Sequence, residues 1–156
     1  MSSLKIIGGR LADTNAETTV LVRNGRIAAL GEAAGKEPAD HDFDATGCLL
    51  TPGFVDLCCN LREPGNGQKG NIASESLAAA HGGFTTLCAS PDTSPVNDSG
   101  AVTNLILDVA AKRSSVRVLP VGAITRGLEG ELLSDMAGLA GAGCIAVVWP
   151  MPGHLA

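Results

Sequence analysis

The sequence predicts an α/β protein: a small β unit followed by the first part of a TIM-type (β/α)8 barrel. Three observations carry that expectation. Hydrophobic residues make up 45% of the chain, aromatics only 3%, and glycine occurs 20 times. Such a composition suits helices lying close on a parallel sheet, with cores of Ala, Val, Leu and Ile. From residue 53 onward, strand-like and helix-like runs alternate, and repeated βα units imply right-handed crossovers and parallel strands. The chain has 156 residues, against roughly 250 for a complete barrel, so a truncated barrel of about half the strands is expected.

Residues 1–52 read as part of a small β-sandwich. Leu4 to Ile7 is a short apolar strand, and Val20 to Leu30 is two strands around Asn24-Gly25, a dipeptide that favours the positive φ values of a type I′ turn. Gly31 to Asp42, rich in Glu, Gly, Ala and Pro, reads as a loop, and Phe43 to Gly53 as a strand and a turn. Residues 53–148 carry the barrel pattern. Phe54 to Cys58 is a buried strand, Ile72 to His81 an alanine-rich helix stopped by Gly82-Gly83, and Phe84 to Ala89 the second strand. The next helix starts near Asp98 or Ser99, either a plausible N-cap. Its buried face is read from Val102, Leu105, Ile106, Val109 and Ala110. Val116 to Val121 is a third strand, Leu132, Met136, Leu139 and Ala140 mark a third helix, and Cys144 to Val148 is a fourth strand. Residues 149–156 hold two prolines within four residues, which stop any regular element.

A net charge of −5 and the scattering of 11 Lys and Arg give no footprint for nucleic acid and no polybasic run for an anionic membrane. No apolar run approaches the ~20 residues needed to span a bilayer, and the start lacks the apolar region of a secretory signal. Five cysteines without a CxxC pair suit a reducing compartment, so a cytoplasmic protein is expected. Neither a GxGxxG nor a Walker-type Gly-Lys-Ser/Thr motif is present.

Chemistry in such a barrel sits at the C-terminal ends of the strands. Alternation along the first strand puts Cys58 and Asn60 on one side, within reach of one metal. Asn60 is a poor zinc ligand, because a neutral amide oxygen suits harder cations. Cys58 as thiolate beside an amide makes a weak half-site, and the plainer reading is a small buried hydrophobe. Arg62 offers a planar bidentate donor for a carboxylate, Glu63-Pro64-Gly65 a turn, and Asp92 the start of an Asx-type turn before Pro95. Between Gly141 and Ala156 there is neither Asp nor Lys, and His154 is a lone histidine.

Four ordered motifs resemble the dihydroorotase family of the amidohydrolase superfamily. They are the Thr-Pro-Gly-Phe-Val-Asp-Leu entry from Thr51, Leu-Arg-Glu-Pro-Gly from Leu61, Ala-Ala-His-Gly-Gly-Phe-Thr-Thr from Ala79, and Pro-Asp-Thr-x-Pro from Pro91. The resemblance implies a metal-dependent hydrolase barrel whose first strand reads His-x-His-x-Arg-Glu-Pro-Gly, the two histidines holding zinc. Here Cys58 and Asn60 stand at the histidine positions, so no zinc or other cofactor is expected. The resemblance makes Arg62 a remnant of carboxylate binding. It also places Asp92 where the family has a carboxylate-binding Asn. At ~4 Å and an effective dielectric near 20, Asp92 would repel a substrate carboxylate by about 4 kcal/mol. The family's metal ligand after strand four has no counterpart, and residues 149–156 look like a non-family tail, as after a frameshift. The implied role is in de novo pyrimidine synthesis, as a catalytically inactive structural partner of aspartate carbamoyltransferase. The alternatives are an active cyclic-amide hydrolase with a metal held unusually by Cys58, and a truncated product with no function. An unclosed sheet also predicts a chain that is oligomeric or aggregation-prone alone.

Overall fold

The computed structural model describes residues 2–65 and 67–149, which form two compact units, Met1–Pro52 and Gly53–Ala156. The expected tail, His154 included, lies outside the described residues apart from Trp149.

The first unit is a five-stranded sheet. Strands β1 (Ser3–Leu11), β2 (Glu17–Arg23) and β3 (Arg26–Leu30) run antiparallel, and β4 (His41–Asp44) and β5 (Leu49–Leu50) lie parallel to β1, in the order β3-β2-β1-β4 with β5 also on β1. Asn24 (φ 53°) and Gly25 (φ 70°) make the expected primed turn between β2 and β3. The segment read as a loop after Gly31 instead contains a short helix, α1 (Glu32–Lys36), and β4 begins at His41 rather than Phe43. The helix forms because Ala34 is fully buried and Glu32 reaches Lys36 one turn on, at 3.6 Å. The start of β1 is tied to the approach to β4 by Asp40, whose carboxylate accepts from the backbone N–H and hydroxyl of Ser3 at 2.7 and 2.8 Å. Those bonds hold the Asp40 carboxyl below its ordinary range.

The second unit alternates strand and helix: β6 (Phe54–Cys59), α2 (Ile72–His81), β7 (Phe84–Ala89), α3 (Gly100–Arg113), β8 (Arg117–Ala123), a 3-10 turn at Arg126–Leu128, α4 (Met136–Ala142) and β9 (Ala146–Val148). The strands pair in parallel in the order β6-β7-β8-β9. This is the N-terminal part of an α/β barrel, as expected. Its core joins Leu87 and Ala89 of β7 and Val118 of β8 to Ile72 of α2 and Val102, Ile106 and Ala110 of α3.

Helix α2 starts at Asn71, whose side chain accepts from Ser74 N–H while the Ser74 hydroxyl accepts from Asn71 N–H, a reciprocal cap. At its far end the left-handed residue is Gly83 (φ 82°) rather than Gly82. Ser99 is the N-cap residue of α3 by backbone geometry, but its side chain makes no capping bond; Asp98 instead accepts from Gly127 N–H at 2.9 Å. The buried stripe of α3 is narrower than expected, with Leu105 44% exposed. Leu132 does not belong to the third barrel helix: α4 starts at Met136 after an Asp135 cap, and the segment before it pairs back through a Thr125–Leu133 bridge. The fourth strand begins at Ala146, two residues later than expected, since Cys144 and Ile145 are still bonded into the end of α4 and to Pro120.

Candidate functional site: the rim after β6 and β7

Strand β6 delivers the first set of candidate residues, and its last turn of ladder is irregular. Asp56 pairs with Leu87 and Cys59 with Ala89, with a register shift between them. Paired residues of parallel strands share a face, so Asp56 and Cys59 both point toward the helix side, where Leu87 and Ala89 are buried. Cys58 N–H donates to the Asp56 carboxylate at 2.9 Å, a local turn that competes with the ladder. The strand ends at Cys59, and Asn60 has already left it. Simple alternation therefore fails at the place where it was expected to bring residues 58 and 60 together.

A groove of about 390 Å³ opens beside β6 and α2, and its polar lining is Asp56, Cys59, Asn60, Arg62 and Glu75. Cys58 is not part of that lining and is exposed, so it is no buried hydrophobe. The half-buried cysteine is Cys59, whose thiol donates to the Cys88 carbonyl at 3.6 Å. Burial first, and then the Asp56 charge, push the Cys59 thiol up to about 12; burial also raises Cys88. Burial thus favours the neutral thiol at both positions. At the expected metal positions stand one thiol, Cys58, and one neutral amide, Asn60, with no imidazole, a donor set that does not fit a zinc ion. Among the described residues no group of three or more His, Cys, Asp or Glu could hold a metal.

Arg62 is half-buried, has φ 65°, and lines the same groove as Asn60. It enters none of the four ion pairs among the described residues. Its neighbour Glu63 does more than shape a turn. The Glu63 carboxylate accepts from Ile72 N–H at 3.0 Å, at the start of α2, and lies 3.5 Å from Arg113 at the end of α3. An acidic group at a helix N-terminus is favoured by the exposed N–H groups and the dipole.

Asp92 sits half-buried in the loop after β7 and does not line the groove. The expected Asx turn is replaced by one built on the Pro91 carbonyl, which accepts from Thr93 and Asn97 N–H at 2.8 and 3.0 Å. The β6 and β7 loops touch directly. Ser94 N–H donates to the Pro64 carbonyl at 2.9 Å, and a Cβ at Gly65 would lie 2.5 Å from Ser94 Cβ. Gly65 also has φ 108°, a conformation that glycine adopts at little steric cost. The structure thus joins the Arg-Glu-Pro-Gly and Pro-Asp-Thr-x-Pro segments, while leaving Cys58 and Asp92 outside the groove that holds Asn60 and Arg62.

Behind these loops lies a residue that sequence reasoning missed. Asn97 is fully buried. Its amide donates to Val121 O at 2.9 Å and to Cys144 Sγ at 3.6 Å, and its carbonyl accepts from Thr103 at 2.8 Å. Its backbone carbonyl also accepts from Ala123 N–H at 2.8 Å. The only local signal was an Asn in a Pro-Val-Asn-Asp-Ser turn, which suggests a loop and not a keystone.

A parallel βα array with candidate residues in the loops after its strands, preceded by a small β unit, defines the N-terminal part of an amidohydrolase fold. The structure of L-hydantoinase (dihydropyrimidinase) from Arthrobacter aurescens superposes with a TM-score of 0.81 at 24% identity, over 99% of this chain and 35% of that one. A dihydroorotase crystal structure gives 0.56 at 15% identity, over 94% and 42%. The chain belongs to the dihydro-orotase-like family, whose model matches residues 47–148. It is 44% identical over 148 residues to a dihydroorotase-like protein of Pseudomonas putida and 43% over 149 residues to a dihydroorotase of Geobacter metallireducens. The chain spans about 35% of the length of either relative. Among the described residues no helix is long and apolar enough to cross a membrane.

Proposed function

We propose that the chain is a dihydroorotase-like protein of de novo pyrimidine synthesis that does no hydrolysis and serves as a structural partner of aspartate carbamoyltransferase. The observation that carries the inactive reading is the pair of residues at the family's histidine positions. Cys58 brings a single thiol and Asn60 only a neutral amide. Without imidazole donors, a hydrolytic water has no means of activation at this rim. Arg62, in the groove, is the one residue of the expected carboxylate clamp with suitable chemistry. The partnership rests on the family resemblance.

Two measurements test it. Dihydroorotate hydrolysis and carbamoyl-aspartate cyclisation should both stay at the uncatalysed rate with zinc added. On mixing with aspartate carbamoyltransferase catalytic chains, the two proteins should co-elute as one species of fixed ratio. Turnover above the uncatalysed rate would defeat the first part, and separate elution at every ratio the second.

A further inference from the structure

The end of β6 brings two cysteines of opposite exposure to one face of the sheet. Leu87 and Ala89 of β7 are buried against the helices, so alternation turns Cys88, between them, to the other face. On β6 the partners of Leu87 and Ala89 are Asp56 and Cys59, with a register shift between them. Two residues, Leu57 and Cys58, therefore stand against the single residue Cys88, the arrangement of a β-bulge. Both then share its face, and both are exposed, whereas Cys88 is buried. Neighbouring strands lie about 4.8 Å apart, within the roughly 4.4–6.8 Å between Cα atoms that a disulfide spans. The other thiols of this unit are turned elsewhere. Cys59 faces the helices and donates to the Cys88 carbonyl at 3.6 Å, and Cys144 Sγ lies 3.2 Å from the Thr103 hydroxyl and 3.6 Å from the Asn97 amide.

We propose that Cys58 and Cys88 are a peroxide-reactive pair that closes a reversible disulfide between β6 and β7. The exposed Cys58, as thiolate, attacks one oxygen of hydrogen peroxide; the O–O bond breaks, hydroxide leaves, and Cys58 becomes a sulfenic acid. The Cys88 sulfur then attacks the Cys58 sulfur. An S–S bond forms, the S–O bond breaks, and the departing hydroxyl takes the Cys88 proton and leaves as water. In sum, two thiols give up two electrons and two protons, and one peroxide becomes two waters. Burial keeps Cys88 out of the first step and raises its thiol, so it meets only an electrophile already placed beside it. A dithiol reductant reverses the bond by exchange. Both partners lie on β6 and β7, so the pair is complete whatever stands at the outer edge of the sheet. This inference does not depend on the function proposed above.

Peptide mapping of the full chain tests it, after treatment with a small excess of hydrogen peroxide and alkylation of the remaining thiols with iodoacetamide in denaturant. The expected product has Cys58 linked to Cys88 within one chain, with Cys48, Cys59 and Cys144 alkylated. Dithiothreitol before alkylation should return all five cysteines to the alkylated form. Cys59→Ser should form the same link at the parent's rate. Cys88→Ala leaves the exposed thiol without its partner, and dimedone should trap the Cys58 sulfenic acid roughly tenfold more than in the parent. Cys58→Ser should leave Cys88 reduced. Substitution at Cys88 touches the interior, so the map of the unsubstituted chain decides. A Cys58–Cys59 link, links between chains alone, or five free thiols after prolonged exposure to peroxide would each overturn the proposal.

Discussion

At the scale of single residues, the polar groups that matter most are those with nothing exposed. Removing the Asn97 amide takes a buried donor from the Val121 carbonyl, while Thr103 loses one partner and keeps the Ser99 carbonyl at 3.2 Å. Asn97→Ala should therefore cost about 2 kcal/mol, from a buried group losing its partner at roughly 1–3 kcal/mol, read as a lower urea midpoint at constant slope. Cys59 makes a different prediction. Its folded-state pKa of about 12 exceeds the ordinary value of 9.0, so the folded form holds the proton more tightly than the unfolded chain. The associated stability is complete below pH 9 and falls as pH rises toward 12; Cys88, also raised by burial, adds in the same direction. Cys59→Ala should flatten the alkaline limb of a stability–pH curve, and in the parent iodoacetamide at pH 8 should label exposed Cys58 well before Cys59. None of this was legible beforehand. Two adjacent cysteines look alike in a sequence, and only the register shift at the end of β6 decides which is exposed.

At the scale of elements, the strands and helices were legible wherever apolar periodicity is strong, as in β7 and α3, and less so where a few contacts decide. Helix α1 is five residues long and exists because Ala34 has a place to bury, a tertiary fact that propensity does not record. Leu132 has the right spacing for α4 but is 63% exposed, because the backbone before Asp135 is already committed to Thr125 and Ile124. The contact between the two signature loops was equally invisible, since it joins residues 29 apart in the chain. Gly65→Ala should cost about 3 kcal/mol: roughly 1–2 kcal/mol for the positive φ and 1–3 kcal/mol for overlap with Ser94. Because the overlap falls on the other loop, amide exchange should quicken in residues 91–97 as well as in 61–65, a pattern that separates coupled loops from independent ones.

At the scale of the whole molecule, the motifs pointed to the right family and to half of its barrel, whereas the details of the site depended on where β6 stops. That difference makes a sharp prediction about repair. Cys58→His combined with Asn60→His restores the family's written motif, yet Asn60 lies off the strand and the Cys58 N–H is bonded into a local turn with Asp56. The double variant should retain no stoichiometric zinc after dialysis and show no dihydroorotate hydrolysis. Tight binding of one zinc per chain would mean that the rim rearranges to suit its ligands, and that alternation along β6 was the better guide after all.

Glu63 gives the Arg-Glu-Pro-Gly motif a second meaning. Its carboxylate joins the first helix of the barrel to the end of the second, a task that needs no metal, substrate or water. A motif search that finds these letters is reading a structural joint as much as a reaction, and the joint can remain intact in a chain where the catalytic positions beside it have changed. In this chain Glu63, Pro64 and Gly65 serve the fold through Ile72, Arg113 and Ser94, while the proposal of inactivity rests on other letters, those two and four places before Arg62.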